Sequence, residues 1–225
     1  MIAIVVPAHN EEDLIGACLR SLRVASRCPV LKGEPVVIIV ALDACSDRTE
    51  SIARTWGAIC IVTLERNVGR ARACGAQAAL DAGARWLAFT DADTVVAPDW
   101  LSTQLSLGSD VVCGGVEVHE WATYGERMKS QFEATYAVVD GHGHVHGANL
   151  GVSAQAYRNA GGFRPLATSE DVALVDALHG TGACIAWSAA PRVVTSARRG
   201  FRAAGGFGAM LEQMERTLAC VPAQT

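Results

Sequence analysis

The chain has 225 residues, with 19 basic and 23 acidic side chains, a net charge of −4 and 50% apolar residues. This balance excludes a disordered chain and argues against nucleic acid as a partner, because nucleic-acid-binding proteins normally carry a clustered basic surplus. A chain of this length can bury a sizeable core without disulfide bonds or structural metals.

The first half alternates apolar runs with helical patterns. The runs 2–6, 36–42, 59–64 and 86–90 are apolar on both faces, which is typical of parallel strands covered by helices. Helices are predicted between them: the first with an apolar stripe over 14–22 and an N-cap at Asn10, the second opening at 46–50, the third over 70–82. Four strand–helix units in series predict an α/β fold with a doubly wound, mostly parallel sheet flanked by helices.

The second half is less regular. Pro98 predicts the first turn of a short helix, 111–118 a further strand, and 121–139 a longer helix. Ser169 is predicted to cap a helix that begins with Glu170 and Asp171. No repeat, linker or low-complexity segment divides the chain, so we expect a single domain over 1–225.

The eight cysteines are scattered and contain no CxxC pair. Several stand where alanine or valine would serve, as Cys60 does in the apolar run 59–62. We therefore expect buried free thiols in a reducing compartment rather than disulfides or zinc ligands. The sequence shows no signal peptide and no integral membrane segment, which favours a cytoplasmic protein, and it leaves a homodimer open.

Polar residues follow each of the four predicted strands at its carboxyl end. They fall in the segments 7–11, 43–47, 66–70 and 91–93. Ligands of open parallel sheets bind beyond these strand ends, so four such segments in register predict a binding site. Asp91 and Asp93, one residue apart, are suited to hold Mg²⁺ or Mn²⁺ against the phosphates of a substrate. A strand-end turn with a helix cap at Asp93 is the alternative.

The motifs at these strand ends carry a resemblance to a known family. They are 5–12 (VVPAHNEE), 42–49 (LDACSDRT), 67–73 (NVGRARA) and 90–93 (TDAD), followed by 147–149 (GAN) and 170–171 (ED). In this order, over about residues 2–180, they resemble a family 2 glycosyltransferase of the GT-A fold. The resemblance implies one GT-A-like domain over 1–225, with a nucleotide-sugar-binding half at about 1–95 and an acceptor-side half at about 96–225.

The resemblance also implies roles for single residues. The donor-binding residues would be Pro7, Ala8, Glu11, Asp43, Gly69, Arg72, Asp91, Ala92 and Asp93. The acceptor-side residues would be His146, Gly147 and Asn149. Within the donor set, Asp43 would accept a hydrogen bond from the base, Asp91 would reach the ribose, and Asp93 with Asp91 would form the metal site.

The implied reaction moves a sugar from a nucleotide-diphosphate donor to a hydroxyl group of a sugar, lipid or small-molecule acceptor. A divalent metal acts on the leaving diphosphate, and an inverting transfer needs a base within about 3 Å of the acceptor hydroxyl. The resemblance makes Glu170 and Asp171 the catalytic residues, with Asp171 as the base. By themselves, these two residues also suit a helix N-terminus, where both carboxylates interact favourably with the helix dipole.

Three histidines and two arginines stand outside these motifs. His142, His144 and His146 alternate, so on a strand they would face one side, and we favour substrate contacts over a zinc site there.

Many GT-A enzymes draw a further metal ligand from a histidine near the C-terminal end, which this sequence lacks. Either water replaces it, or Arg198 and Arg199 clamp the diphosphate; a solvated basic turn is the alternative.

The sequence alone is also compatible with two other functions. The segment 91–95 also matches the motif of haloacid-dehalogenase-like phosphatases, in which Asp91 would be the phosphoryl nucleophile. That family places the motif on its first strand and needs a later lysine, for which this chain has only Lys129. A non-catalytic nucleotide-sugar-binding protein is the second alternative.

Overall fold

The computed structural model describes residues 1–121, 123–200 and 206–219, which form a central sheet with helices on both faces. The described strands are β1 (Ile2–Ala8), β2 (Val36–Asp43), β3 (Ile59–Thr63), β4 (Trp86–Phe89), β5 (Thr94–Val96), β6 (Val111–Gly114), β7 (Leu150–Ser153), β8 (Ile185–Ser188) and β9 (Val193–Thr195). The described helices are α1 (Ile15–Ala25), α2 (Thr49–Thr55), α3 (Val68–Asp81), α4 (Trp100–Ser106), α5 (Glu126–Thr135), α6 (Ala154–Asn159), α7 (Glu170–Gly180) and α8 (Phe207–Ala219).

The seven strands of the central sheet have the order β3-β2-β1-β4-β7-β6-β8. Its strands pair in parallel except β7, which runs antiparallel to both β4 and β6. β5 and β9 form a separate antiparallel pair. The fold is therefore the α/β class with a mostly parallel, helix-flanked sheet that the sequence predicts.

Alternate residues of the central strands feed two cores on opposite faces of the sheet. Ile2, Ile4 and Val6 of β1 join a core that also contains the buried residues of α1, α4 and α5. Ala3 and Val5 join a second core with the buried residues of α3, α6 and α7. Because both faces are covered, the inner strands are apolar throughout, and only their carboxyl ends remain open to polar chemistry.

The four strands predicted in the first half are confirmed to within two residues at each end, but one predicted cap is wrong. Asn10 has a left-handed backbone with φ of 53°, and its Oδ1 accepts a hydrogen bond from the backbone N–H of Ser46 at 2.8 Å. It therefore ties two strand ends together, and α1 begins without a side-chain cap. The third helix is capped by Asn67, whose side chain accepts from the N–H of Arg70.

The second half departs further from the prediction. The strand predicted over 111–118 ends at Gly114, where the chain passes Asn149 so closely that a Cβ would collide with its side chain. The helix predicted over 121–139 covers only Glu126–Thr135, because Gly125 precedes it with φ of 80°. Pro98 lies two residues before the first residue of α4, close to the start of the helix as predicted.

The predicted cap at Ser169 is also corrected. α7 does begin at Glu170, but Ser169 has a left-handed backbone with φ of 57°, and its side chain makes no capping hydrogen bond. The segment 142–146 is a loop, so its three histidines do not share one face of a strand.

The described cysteines are free thiols. Among these described cysteines, only Cys18 and Cys113 are buried while Cys184 is exposed, so the expectation of general burial is wrong. Cys220 lies outside the described residues. None of the helices in the described part of the chain has the length and apolar character needed to cross a membrane.

Candidate active site

The carboxyl ends of β1, β2 and β4 open into a cavity of about 670 Å³, a volume in the range of small-molecule binding sites. Most of the predicted site residues meet there. Its lining includes Pro7, Ala8, Glu11, Asp43, Arg72, Asp91, Ala92, Asp93, His146, Gly147, Glu170 and Asp171. The ends of the strands and the turns that follow them place seven of these residues, α3 supplies Arg72, and Glu170 and Asp171 come from the start of α7.

Two predicted site residues do not line the cavity. Gly69 lies in the first turn of α3, against the backbone of Arg164 and Leu166, and its N–H donates to the Leu166 carbonyl at 3.2 Å. Asn149 is fully buried and bonds to the carbonyls of Gly115 and Pro191. Their chain neighbours Val68 and Ala148 do line the cavity.

Arg72 joins the strand-end carboxylates to the start of α7. This guanidinium projects from α3 and is buried, and it donates to Asp91 Oδ1 at 2.5 Å and to Glu170 Oε1. It is also the reason for a glycine at position 147, because a Cβ there would collide with the guanidinium. The guanidinium of Arg72 thus holds the carboxylates of Asp91 and Glu170 in fixed positions relative to each other.

Arg198, in the loop after β9, makes a second ion pair across the cavity. Its guanidinium donates through both terminal nitrogens to the buried carboxylate of Glu11, one of them at 2.5 Å to Oε2. The same guanidinium lies 3.4 Å from Asp93 Oδ2. Arg198 therefore sits between two acidic side chains of the cavity.

Arg199 points away from the cavity. It is half-exposed, pairs with Glu215 at 2.6 Å and lies over the ring of Tyr124. The predicted clamp of two adjacent arginines is therefore wrong, since only Arg198 lines the cavity.

Burial next to other carboxylates raises the pKa of Asp93 to about 7. Loss of hydration is the largest cause and the charge of Asp91 is the next, while Arg198 opposes both. A bound cation would offset the repulsion between these two carboxylates and favour their ionised forms.

The residues present fit a hard divalent cation held in part by its substrate. In the described residues, no group of three histidine, cysteine or acidic side chains forms a metal site. Mg²⁺ and Mn²⁺ need only one or two carboxylates when phosphate and water oxygens complete the ligand set, and Asp91 and Asp93 supply these two.

Two buried guanidinium donors also lack an acceptor in the described structure. They are the Nε–H groups of Arg72 and Arg198, both on side chains that line the cavity. Buried donors are normally satisfied, so these two leave each guanidinium with hydrogen-bonding capacity beyond its carboxylate partners. Phosphate oxygens match guanidinium donors in charge and geometry.

Asp171 lines the cavity at the start of α7. Its Oδ2 accepts from the N–H of Gly147 at 2.8 Å, and its Oδ1 accepts from the N–H of Val172 at 2.9 Å. These bonds fix the carboxylate on the cavity wall and leave further lone pairs on both oxygens.

His146 is held beside this carboxylate by Tyr136, whose hydroxyl is 2.7 Å from His146 Nε2. Burial lowers the pKa of His146 to about 4, although Asp171 opposes the shift, so the imidazole is neutral near pH 7. His144 stacks on Tyr136 and His142 on His144. Of the three histidines, only His146 lines the cavity.

Asp43 is buried at the end of β2, where its two oxygens accept three backbone N–H groups. These belong to Glu65, Arg66 and Asn67, at 2.9, 3.0 and 2.6 Å. The carboxylate therefore shapes the turn that leads into α3 while also lining the cavity.

The sequence prediction missed the apolar part of the cavity wall. Phe207 and Met210 of α8, with Val145 and Val172, contribute apolar side chains to its lining. The signal was present, because Phe207, Met210, Met214 and Leu218 recur at helical spacing and pack on the core.

The family model for Glycosyl transferase family 2 matches residues 3–167. A search of curated protein sequences found no match.

Solved structures of similar fold include S. aureus TarS 1–349 in complex with UDP-GlcNAc, at 17% identity and a TM-score of 0.65, covering 97% of this chain and 65% of that one. The mannosyltransferase PcManGT from Pyrobaculum calidifontis, in complex with GDP-Man and Mn²⁺, is 20% identical with a TM-score of 0.62, and covers 100% of this chain and 65% of that one. Glucosyl-3-phosphoglycerate synthase from Mycobacterium tuberculosis, with Mn²⁺, UDP and glucosyl-3-phosphoglycerate, is 18% identical with a TM-score of 0.62, and covers 97% and 77%. The chain spans between 36% and 65% of the length of the TarS chains.

Proposed function

The chain belongs to glycosyl transferase family 2, and from that premise we propose that it transfers a sugar from a nucleotide-diphosphate donor to a hydroxyl group of an acceptor. The acceptor class stays a sugar, a lipid or a small molecule. The observation that carries the proposal is a single cavity lined by the Asp91–Asp93 pair, two guanidinium groups with unsatisfied donors, and Asp171. Free thiols among the described cysteines support a cytoplasmic location.

The donor is proposed to bind at the strand ends. Pro7, Ala8 and Asp43 would border the nucleoside, with Asp43 accepting from the base through a lone pair that the turn at 65–67 leaves free. Asp91 would reach the ribose. Arg72 and Arg198 would donate their unsatisfied Nε–H groups to acceptor oxygens of the donor.

The transfer breaks the bond between the sugar's anomeric carbon and the diphosphate oxygen, which leaves with the electron pair. The acceptor oxygen forms the new bond to that carbon, and its proton passes to the Asp171 carboxylate. Asp93 and Asp91 would hold a Mg²⁺ or Mn²⁺ ion, which would supply Lewis acidity to the leaving diphosphate. Gly147 positions the base by its hydrogen bond to Asp171, and Glu170 is held next to it by Arg72.

The phosphatase alternative is not favoured. Asp91 follows β4, the fourth strand of the chain, and its carboxylate is engaged by Arg72. Lys129, the only lysine after the motif, does not line the cavity and lies beside Glu126 on α5.

Donor binding is tested by thermal unfolding with UDP-GlcNAc and GDP-Man as probes, with and without Mn²⁺. Ligand binding to the folded state alone raises Tm, by about 5–10 °C for a chain of this size at roughly 100 times Kd. We expect at least one probe to stabilise the wild type in a Mn²⁺-dependent way, and Asp93→Asn to remove that dependence. Asp99→Asn is the matched control, because Asp99 is exposed and outside the cavity.

Catalysis is tested by the release of UDP or GDP from the donor that binds, over a panel of sugar, lipid and small-molecule acceptors. Turnover that depends on an acceptor supports the transferase. Saturable donor binding without turnover on any acceptor would instead make this protein a nucleotide-sugar-binding module. Phosphate release from simple phosphomonoesters would support the phosphatase.

A further inference from the structure

The position of Arg198 relative to the carboxylate pair has a consequence for cation binding. Arg198 is only 25% exposed, is clamped by Glu11, and lies 3.4 Å from Asp93 Oδ2. Asp91 has its own partner in Arg72 at 2.5 Å. Each carboxylate of the pair is therefore already close to a positive charge supplied by the chain.

A fixed positive charge beside Asp93 works against a second cation. Coulomb repulsion at a few ångströms is strong in a partly buried place, where water screens poorly. The same charge attracts phosphate oxygens, which match guanidinium donors in charge and geometry, and Arg198 lines the cavity. Arg198 thus has opposite effects on a free metal ion and on a diphosphate.

We propose that Arg198 is an internal counterion of Asp93 that makes cation binding depend on the nucleoside diphosphate. With no nucleotide present, Arg198 keeps the affinity of the site for free Mn²⁺ or Mg²⁺ low. With a nucleoside diphosphate, the added negative charge offsets Arg198, and the cation and the phosphates bind together. The inference rests on the proposed function, because the diphosphate is that of the donor.

This role predicts changes of opposite sign. Removal of the Arg198 charge tightens the binding of a free cation and weakens the binding of a nucleoside diphosphate measured without metal. A residue that only holds the loop after β9 in place would, when replaced, weaken both ligands.

The test uses the full chain as wild type, Arg198→Gln and Arg199→Gln. Arg199→Gln is the matched control, because it removes the same charge from the adjacent position, where the side chain pairs with Glu215 outside the cavity. Mn²⁺ binding to the protein alone is measured by electron paramagnetic resonance of free Mn²⁺. UDP and GDP binding is measured by calorimetry in EDTA.

We expect Arg198→Gln to bind Mn²⁺ about tenfold or more tightly than the wild type, and UDP or GDP about tenfold or more weakly. Arg199→Gln should differ from the wild type by less than about twofold, since exposed charges are well screened. The gain in Mn²⁺ affinity should vanish in Asp93→Asn/Arg198→Gln, which locates it at Asp93. Equal Mn²⁺ affinities in the two single variants, or a loss of both ligands in Arg198→Gln, would overturn the inference.

Removal of Arg198 alone leaves Glu11 buried beside other carboxylates and can unfold the protein. Glu11→Gln/Arg198→Gln removes both members of the pair and keeps their shape. Its Mn²⁺ affinity, compared with that of Glu11→Gln, gives the same test, and the double variant should again bind Mn²⁺ more tightly. Equal affinities in these two proteins would also overturn the inference.

The outcome is separate from that of the proposed function. If the wild type with Mn²⁺ binds neither UDP nor GDP and turns over no donor, the proposed function fails whatever the variants do. If nucleotide binding is Mn²⁺-dependent but Arg198→Gln leaves the affinity for free Mn²⁺ unchanged, only the role of Arg198 fails.

Discussion

At the scale of single residues, Asp171 distinguishes catalysis from binding. A general base acts on the acceptor proton in the transition state, so its loss lowers turnover and leaves donor affinity nearly unchanged. We expect Asp171→Asn to lower kcat by about 100- to 10,000-fold, the range that general-base catalysis contributes. The measurement is single-turnover kinetics on the donor and acceptor found by screening, with the donor Kd measured on the same protein.

Asp176→Asn is the control for this prediction, because Asp176 lies on the same helix and is exposed. If Asp171 served only the helix dipole, Asp171→Asn would lose at most about 1 kcal/mol of stability and keep its rate. A normal rate would thus exclude Asp171 as the base and make Glu170 or His146 the next candidate.

The strand ends and motifs predicted most of the named residues that line the cavity. They did not predict which of these residues form ion pairs with each other. Arg72 and Glu170 are 98 positions apart, and Glu11 and Arg198 are 187 apart. No local pattern relates such positions, because their contact depends on how the sheet and α7 close on each other. The same reason separates Arg198 from Arg199: adjacent in sequence, they point to different surfaces once the loop after β9 is placed.

At the scale of elements, the contact of α3 with the segment before α7 has a glycine at its centre. A Cβ at Gly69 would collide with the carbonyl of Arg164 and lie 2.8 Å from that of Leu166. Backbone cannot rotate away as a side chain can, so the segment would have to shift. We expect Gly69→Ala to lower the free energy of unfolding by about 1–3 kcal/mol, as overpacking usually does.

Gly16→Ala is the control, because Gly16 lies in the first turn of α1 and a Cβ there meets nothing closer than 3.9 Å. It should be neutral or stabilising by up to about 1 kcal/mol, since alanine favours the helix. Urea unfolding of both variants gives the comparison. A Gly69→Ala protein as stable as Gly16→Ala would show that the segment at 164–166 adapts freely.

Element prediction succeeded where the pattern was local and failed where a tertiary contact decided. β1 and β2 are continuous apolar runs, so the sequence predicts where they start and, to within two residues, where they end. The strand at 111 stopped early because Gly114 passes against Asn149, a residue of a distant loop. Asn10 is a good capping residue by type, yet its side chain binds Ser46 across 36 positions instead.

At the scale of the whole molecule, two buried groups give stability opposite dependences on pH. The pKa of His146 is lowered from 6.5 to about 4 by burial, so the unfolded chain binds more protons between these values, and stability is lost as pH falls through them. The pKa of Asp93 is raised from 3.8 to about 7, chiefly by burial, so the folded chain binds more protons there, and stability is lost as pH rises.

Replacing one of these two groups should therefore leave the pH dependence of stability that the other group causes. Between about pH 4.5 and about pH 6.5, we expect His146→Gln to lose about 1–3 kcal/mol of unfolding free energy relative to the wild type as pH rises, and Asp93→Asn to gain a similar amount. Burial also lowers the pKa of His142, but His142 is present in all three proteins and cancels in the comparison. Urea unfolding of the three proteins at both pH values, without metal or nucleotide, measures these differences.

Parallel pH profiles for the wild type and His146→Gln would contradict a neutral, buried His146. An Asp93→Asn protein that follows the wild type would show that Asp93 is ionised throughout, and that Arg198 alone suffices to hold its charge in the cavity.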